Sequence, residues 1–188
     1  MTGTIVFWVV LGIIAIVLLY CIAAYNTLVG LRNQVKNAWS QIDVQLKRRH
    51  DLIPNLVETA RGYMKHERET LEGIAKARSE ATGAKGVQET AQAENRLTGA
   101  IRGFMAVVEN YPELKANENF LAVQEELAST ENRIAFARQA YNDGVMSLNN
   151  KIEMFPSNMI AGSFAFRKET FFEMEDATEK AVPKVNFT

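Results

Sequence analysis

Residues 120–148 read FLAVQEELASTENRIAFARQAYNDGVMSL. Phe120, Leu127, Ile134, Tyr141 and Leu148 recur every seven residues, with Val123 and Ala137 beside them. Large apolar side chains at that interval fall on one stripe of an α-helix and imply long side-by-side packing at shallow crossing angles. Glu131 and Arg138 flank the stripe and argue against a membrane span here. Asn117 or Asn119 is placed to cap the helix, and Phe155-Pro156 ends it.

The partners of this helix lie upstream. Leu28, Leu31, Val35, Ala38 and Ile42 alternate by three and four, and Trp39 and Leu46 widen the seam. Pro54 either kinks this helix or sits in the first turn of a new one with Asp51 as N-cap. The apolar series then resumes as Val57, Ala60, Met64, Leu71 and Ile74, and Ser79 to Gly86 reads as the first loop. A third helix near Glu89 to Glu109 carries Leu97, Ile101, Phe104, Met105 and Val108, and Tyr111-Pro112 breaks it. No strand signature of comparable length occurs. The expected fold is all-α, an N-terminal transmembrane helix plus an antiparallel bundle of about four long helices.

The transmembrane helix is read from Ile5 to Ala24, IVFWVVLGIIAIVLLYCIAA, where only Gly12 is not hydrophobic. Twenty helical residues at about 1.5 Å each cover the ~30 Å hydrocarbon core. Trp8 near one end and Tyr20 and Tyr25 near the other stand where interfacial aromatics are favoured. Met1-Thr2-Gly3-Thr4 lacks the basic start of a cleaved signal, and Tyr20 is too bulky to precede a lipidated cysteine, so Cys21 reads as a small hydrophobe within an uncleaved anchor. Arg32 and Lys36 follow the run and no basic side chain precedes it. The positive-inside rule therefore expects the body in the cytoplasm of a bacterial cell, below the inner membrane, with the N-terminus outside. The organisation expected is an anchor over 1–25, a helical body over 26–175 and a tail over 176–188, the anchor running straight into the first soluble helix.

All 43 charged residues, 21 basic and 22 acidic, lie beyond position 31. Their near balance argues against nucleic acid as a partner, which calls for a basic excess. A single cysteine excludes a disulfide framework and the usual Cys-based zinc sites. His66-Glu67-Arg68-Glu69-Thr70 begins like a zincin helix, but Thr70 replaces the second imidazole, so His66 is expected on a polar helix face. No nucleophile elbow and no phosphate loop occurs. Neither His50 nor His66 has the glutamate three residues earlier that a di-iron bundle needs. No catalytic residue, metal ligand or cofactor site is expected.

Lys47-Arg48-Arg49-His50 invites a lipid-phosphate reading, but Lys47 would stand about 34 Å beyond Ala24 on a continuous upright helix, several times the ~8 Å Debye length. The favoured reading is a solvated face pairing with Asp43 and Asp51. Six of the ten phenylalanines, Phe155, Phe164, Phe166, Phe171, Phe172 and Phe187, fall near the C-terminus with Met159 and Ile160. This segment is expected to cap the bundle or to dock to a partner or another copy.

Taken in order, several blocks resemble the LemA family of bacterial membrane-anchored proteins. They are Tyr25-Asn26 with Leu28-Val29 and Leu31-Arg32-Asn33; Ala38-Trp39-Ser40-Gln41-Ile42-Asp43 on through Arg48-Arg49-His50-Asp51-Leu52-Ile53-Pro54-Asn55-Leu56-Val57; Tyr111-Pro112-Glu113-Leu114 to Asn117; Thr130-Glu131-Asn132-Arg133-Ile134 with Tyr141-Asn142; and Phe155-Pro156-Ser157-Asn158 with Phe164. Phe164-Ala165-Phe166 departs from the Phe-Gly-Phe expected there. The resemblance implies one span and an all-helical body, and it supplies no activity; relatives are associated with membrane quality-control peptidases and with internal membranes of magnetic bacteria. The expected function is a non-enzymatic scaffold on the lipid bilayer that self-assembles, the alternative being an adaptor of a membrane protease. The residues expected to carry packing and recognition are Trp39, Arg48, Arg49 and Asp51; Tyr111, Pro112 and Asn117; and Phe164, Phe166, Phe171 and Phe172.

Overall fold

The computed structural model describes residues 2–173, and every regular element among them is helical. In order they are α1 (Thr2–Arg61), α2 (Arg68–Gly83), α3 (Gly86–Val108), α4 (Pro112–Lys115), α5 (Glu118–Glu153) and α6 (Ser157–Ser163). The four long helices expected are α1, α2, α3 and α5; α4 and α6 are short pieces between and after them. The expected tail over 176–188, with Phe187, lies outside the described residues.

The chain divides into two compact units. Among the described residues, the first joins 2–42 with Phe136–Thr170, and the second joins Asp43–Ala135 with 171–173, so α1 and α5 contribute to both.

In the first unit, Leu28, Val35 and Ile42 of α1 and Tyr141, Val145 and Leu148 of α5 are buried. Gly144 faces Val35 across the pair: a Cβ there would stand 3.4 Å from Val35 Cγ2, an ordinary van der Waals contact. Trp39 and Tyr141 pack with ring centroids 5.6 Å apart. The pairs Val35/Gly144 and Trp39/Tyr141 fix an antiparallel register. After α6 the chain returns along this pair: Asn149 exchanges two hydrogen bonds with the backbone of Glu169, both 2.9 Å, and the Tyr141 hydroxyl donates to the Thr170 carbonyl at 2.9 Å. Every side chain from Thr2 to Tyr20 is exposed, Ile5 and Trp8 included. Its most apolar stretch has a mean hydropathy of 3.1 over 18 residues, long and apolar enough to cross a membrane. Ala24 is the first buried residue of the helix, so protein packing starts where the apolar run ends.

In the second unit, α2 and α3 form a hairpin through Ala84 and Lys85. The turn depends on Gly86, whose φ of +75° is costly for residues with a Cβ. Ile53, Leu56, Met64, Ile74, Leu97 and Phe104 form the centre of the core. Phe120 joins them with its ring 6.3 Å from that of Phe104. The seven-residue series from Phe120 to Leu148 is buried at every member.

Four local expectations are decided or changed. First, of the two readings of Pro54 the one within a continuing helix holds: α1 passes through it and Asp51 caps nothing, with Pro54 on the exposed side while Ile53, Leu56 and Ala60 are buried on the other. Burial of an aliphatic side chain stabilises by about 1.5–3 kcal/mol, so a few of them offset the ~3 kcal/mol an interior proline costs. Second, the break falls at Gly62 to Glu67 rather than at Pro54 or Ser79: Tyr63 and Met64 both donate their amides to the Ala60 carbonyl at 2.9 Å. The helical spacing of Met64 and Leu71 hides this break, because Met64 is buried from the turn itself. Third, Ser79 to Gly83 is helix, leaving only two residues of the expected loop. Fourth, Ala165, where glycine was expected, takes a φ of +54°. That backbone costs a non-glycine residue roughly 1–2 kcal/mol.

Candidate functional site

The helical register that buries Leu46 and Ile53 carries Arg49 and His50 onto the inner face of α1 in the second unit. They are not a solvated face, and their partners are not Asp43 and Asp51. The Arg49 side chain is 3% exposed and faces Glu94 of α3, which is fully buried. Arg49 Nη1 lies 3.4 Å from Glu94 Oε2 and 3.3 Å from Glu131 Oε2 of α5, and its Nη2 donates to Thr98 Oγ1 at 2.7 Å. His50 Nε2 lies 2.6 Å from the other Glu94 oxygen. A carboxylate only accepts, so that nitrogen carries the proton. Glu94 therefore engages both of its oxygens, one per residue of the Arg49-His50 pair.

Pro54 adds a second link. Having no N–H, it leaves the carbonyl four residues earlier, that of His50, without its helical donor. Arg78 Nε of α2 donates to that oxygen at 2.6 Å. Thr82, one turn on, gives its hydroxyl proton to the Arg78 carbonyl at 2.8 Å and stands 3.5 Å from His50 Nδ1. Arg49 and His50 thus hold α1 to α2, α3 and α5 through side chains and one orphaned carbonyl. Burying charge without partners is prohibitive, and here each charge has at least one.

Two clefts flank the cluster. One of about 290 Å³ is lined by Arg49, Thr98, Arg102, Met105 and Glu131, and one of about 270 Å³ by Asp43, Lys47, His50, Asp51 and Arg78. Asp51 is exposed at the rim of the second. Arg48 points outward to Glu126 at 2.7 Å, with the two side chains 47% and 49% exposed.

The residues singled out from sequence fall in three places. Arg48, Arg49 and Asp51 belong to the region just described. Tyr111, Pro112 and Asn117 form the α3–α5 junction and hold the Gly62–Glu67 turn. The Tyr111 hydroxyl donates to Glu67 Oε1 at 3.1 Å, and Asn117 Nδ2 donates to the Tyr63 hydroxyl at 3.0 Å. Asn117 Oδ1 also accepts the Phe120 amide at 3.0 Å, the expected cap, and Pro112 opens α4. Burial and the Glu67 contact raise the Tyr111 phenol above its usual range. His66 is exposed in that turn, not on a helix face.

The third place is in the first unit. Trp39 packs on Tyr141, and Phe164 and Phe166 both pack on Tyr25, at 4.8 and 5.9 Å. The Arg32 guanidinium lies over the Phe166 ring at 5.1 Å. Phe171 and Phe172 fall to the second unit, the former exposed and the latter buried. Burial, and then the Glu169 charge, push the Tyr141 phenol up to about 12.

Sequence reading missed His50, Arg78, Glu94, Thr98 and Glu131 as one cluster. A signal was present: Arg49 sits three residues after Leu46 and four before Ile53, and Glu94 three before Leu97, charged positions on otherwise apolar seams. Among the described residues no group of three or more histidine, cysteine or acidic side chains is arranged to hold a metal.

Residues 38–187 match the model of the LemA family. Protein LemA of Metamycoplasma hominis is 29% identical, over 80% of this chain and 69% of its own. Magnetosome protein MamQ 2 of Paramagnetospirillum magneticum is 26% identical, over 84% and 68%. Magnetosome protein MamQ of Magnetospirillum gryphiswaldense is 23% identical over the same shares.

Proposed function

The chain belongs to the LemA family, and from that premise we propose that it is a non-enzymatic, membrane-anchored helical scaffold. The observation that carries the reading is the use made of the buried charges. Arg49, His50, Glu94 and Arg78 bond to one another and to backbone, so they clamp helices rather than meet a substrate. Residues 5–24 are the anchor, crossing the bacterial inner membrane with the body on the cytoplasmic side, as Arg32 and Lys36 just past the run favour. Protease added outside sealed cells is expected to spare the body; cleavage of it there overturns the orientation.

The seven-residue seam no longer speaks for self-association, because it is buried within the chain. What supports assembly is the side of α5, where Phe136 is 74% exposed and Met146 also faces solvent. A photo-crosslinking residue at Phe136, activated in intact cells, is expected to capture a second copy. Capture of a membrane protease instead, with no self-adduct, favours the adaptor reading over the scaffold.

A further inference from the structure

We propose that the corner between α5 and α6, from Met154 to Phe166, is a second membrane contact that lies in the headgroup layer of the bilayer the anchor crosses. The proposal rests on the reading that residues 5–24 span that bilayer.

The antiparallel register supplies the level. Val35 stands against Gly144 and Trp39 packs on Tyr141. Each residue gained along α5 is one lost along α1, so Met154 and Phe155 come level with about residue 25. The ring contacts of Tyr25 with Phe164 and Phe166 confirm that the far end of α6 returns to the same height. Ala24 is the last residue of the apolar run. The corner thus stands within a turn of the hydrocarbon boundary, where a headgroup layer of roughly 5–8 Å begins.

The side chains there suit that layer. Phe155 is 79% exposed, Met159 64%, and Met154 and Phe164 are exposed with them. Four large apolar side chains on a segment of eleven residues are an unfavourable surface for water and a favourable one for an interface, where amphipathic elements bury their apolar face about 5–10 Å deep. Arg32, whose guanidinium lies over the Phe166 ring, and Lys151, Arg167 and Lys168 flank the segment against Glu153 and Glu169, with Lys168 ion-paired to Glu153, an excess of two positive charges. Anionic lipid attracts such basic residues near its surface. Phe136 is as exposed as Phe155 but lies about 19 residues down α5 from it, some 28 Å from that level, and serves as the control.

The test uses the full chain carrying Cys21→Ala, with one cysteine introduced at Val10, Met159 or Phe136 and labelled with an environment-sensitive fluorophore. Each protein is reconstituted in vesicles of phosphatidylcholine and phosphatidylglycerol, with or without nitroxide lipid. The Met159 probe is expected to be quenched about two-fold or more by nitroxide near the top of the acyl chain, the Phe136 probe to be unaffected, and the Val10 probe to respond to nitroxide deep in the chain. Quenching at Val10 with no response at Met159 overturns the interfacial contact and leaves the span intact. No quenching at Val10 overturns the span, and the contact with it. A Met159 probe shielded only at high protein-to-lipid ratio and insensitive to nitroxide places a second copy on the corner, which also overturns the proposal.

Discussion

Replacing Glu94 by glutamine keeps the size and one acceptor oxygen but removes the charge that faces Arg49 and His50. Arg49, 3% exposed, is left with Thr98 at 2.7 Å and with Glu131 at 3.3 Å, a carboxylate itself half in water. Breaking a buried pair from one side costs about 3–5 kcal/mol. The remaining acceptor and Glu131 put Glu94→Gln at the low end, about 3 kcal/mol. For a chain of this size that corresponds to a fall in Tm of roughly 6–12 °C. Arg48→Ala, which removes the exposed 2.7 Å pair with Glu126, is expected to cost under about 1 kcal/mol. Urea unfolding of the detergent-solubilised chain, followed by far-ultraviolet circular dichroism, measures both variants. A Glu94→Gln protein within about 0.5 kcal/mol of the parent, or no less stable than Arg48→Ala, refutes the clamp.

Three further outcomes follow from single contacts. Arg78→Ala orphans the His50 carbonyl and is expected to cost about 1–3 kcal/mol; in a Pro54→Ala background a helical N–H takes its place, and a cycle showing no reduction of that cost contradicts the link. Ala165→Gly relieves a positive φ and is expected to stabilise the chain by up to about 1 kcal/mol in thermal unfolding, destabilisation being the contrary result. Tyr141, with its pKa raised to about 12, keeps its proton in the folded chain while the unfolded phenol loses it near pH 10. Its contribution is thus complete below pH 10 and declines as pH rises towards 12, so Tyr141→Phe is expected to flatten stability over that window and to remove the latest step of the phenolate absorbance titration.

The sequence-level reading succeeded where one period governs many residues. The run from Phe120 to Leu148 is buried as its spacing requires, Leu28, Val35 and Ile42 of the α1 seam are buried while Leu31 and Ala38 are half-buried, and Asn117 caps the helix it precedes. It failed or left a choice open where a single contact outweighs a local rule. Pro54 leaves a continuing helix and a new helix both open on paper, and burial of Ile53, Leu56 and Ala60 carries one helix through it while Arg78 occupies the freed carbonyl. Gly62 ends that helix without a proline because the Tyr111–Asn117 junction, some 50 residues on, bonds to Tyr63 and Glu67. The cluster around Arg49 was hidden for the same reason: a run of basic residues looks solvated until Glu94 arrives from another helix. The Phe-rich end divides between the two expectations, with Phe166 and Phe172 covered and Phe155 and Phe164 left open.

The scaffold reading stands or falls on whether the anchored chain assembles. Light scattering of the full-length protein in mild detergent at micromolar concentration, corrected for bound detergent, measures the protein mass per particle. At least two copies of the 21.1 kDa chain are expected, with a shift towards one copy in a Phe136→Ser variant. A single copy across that range, unchanged by the substitution, contradicts the account.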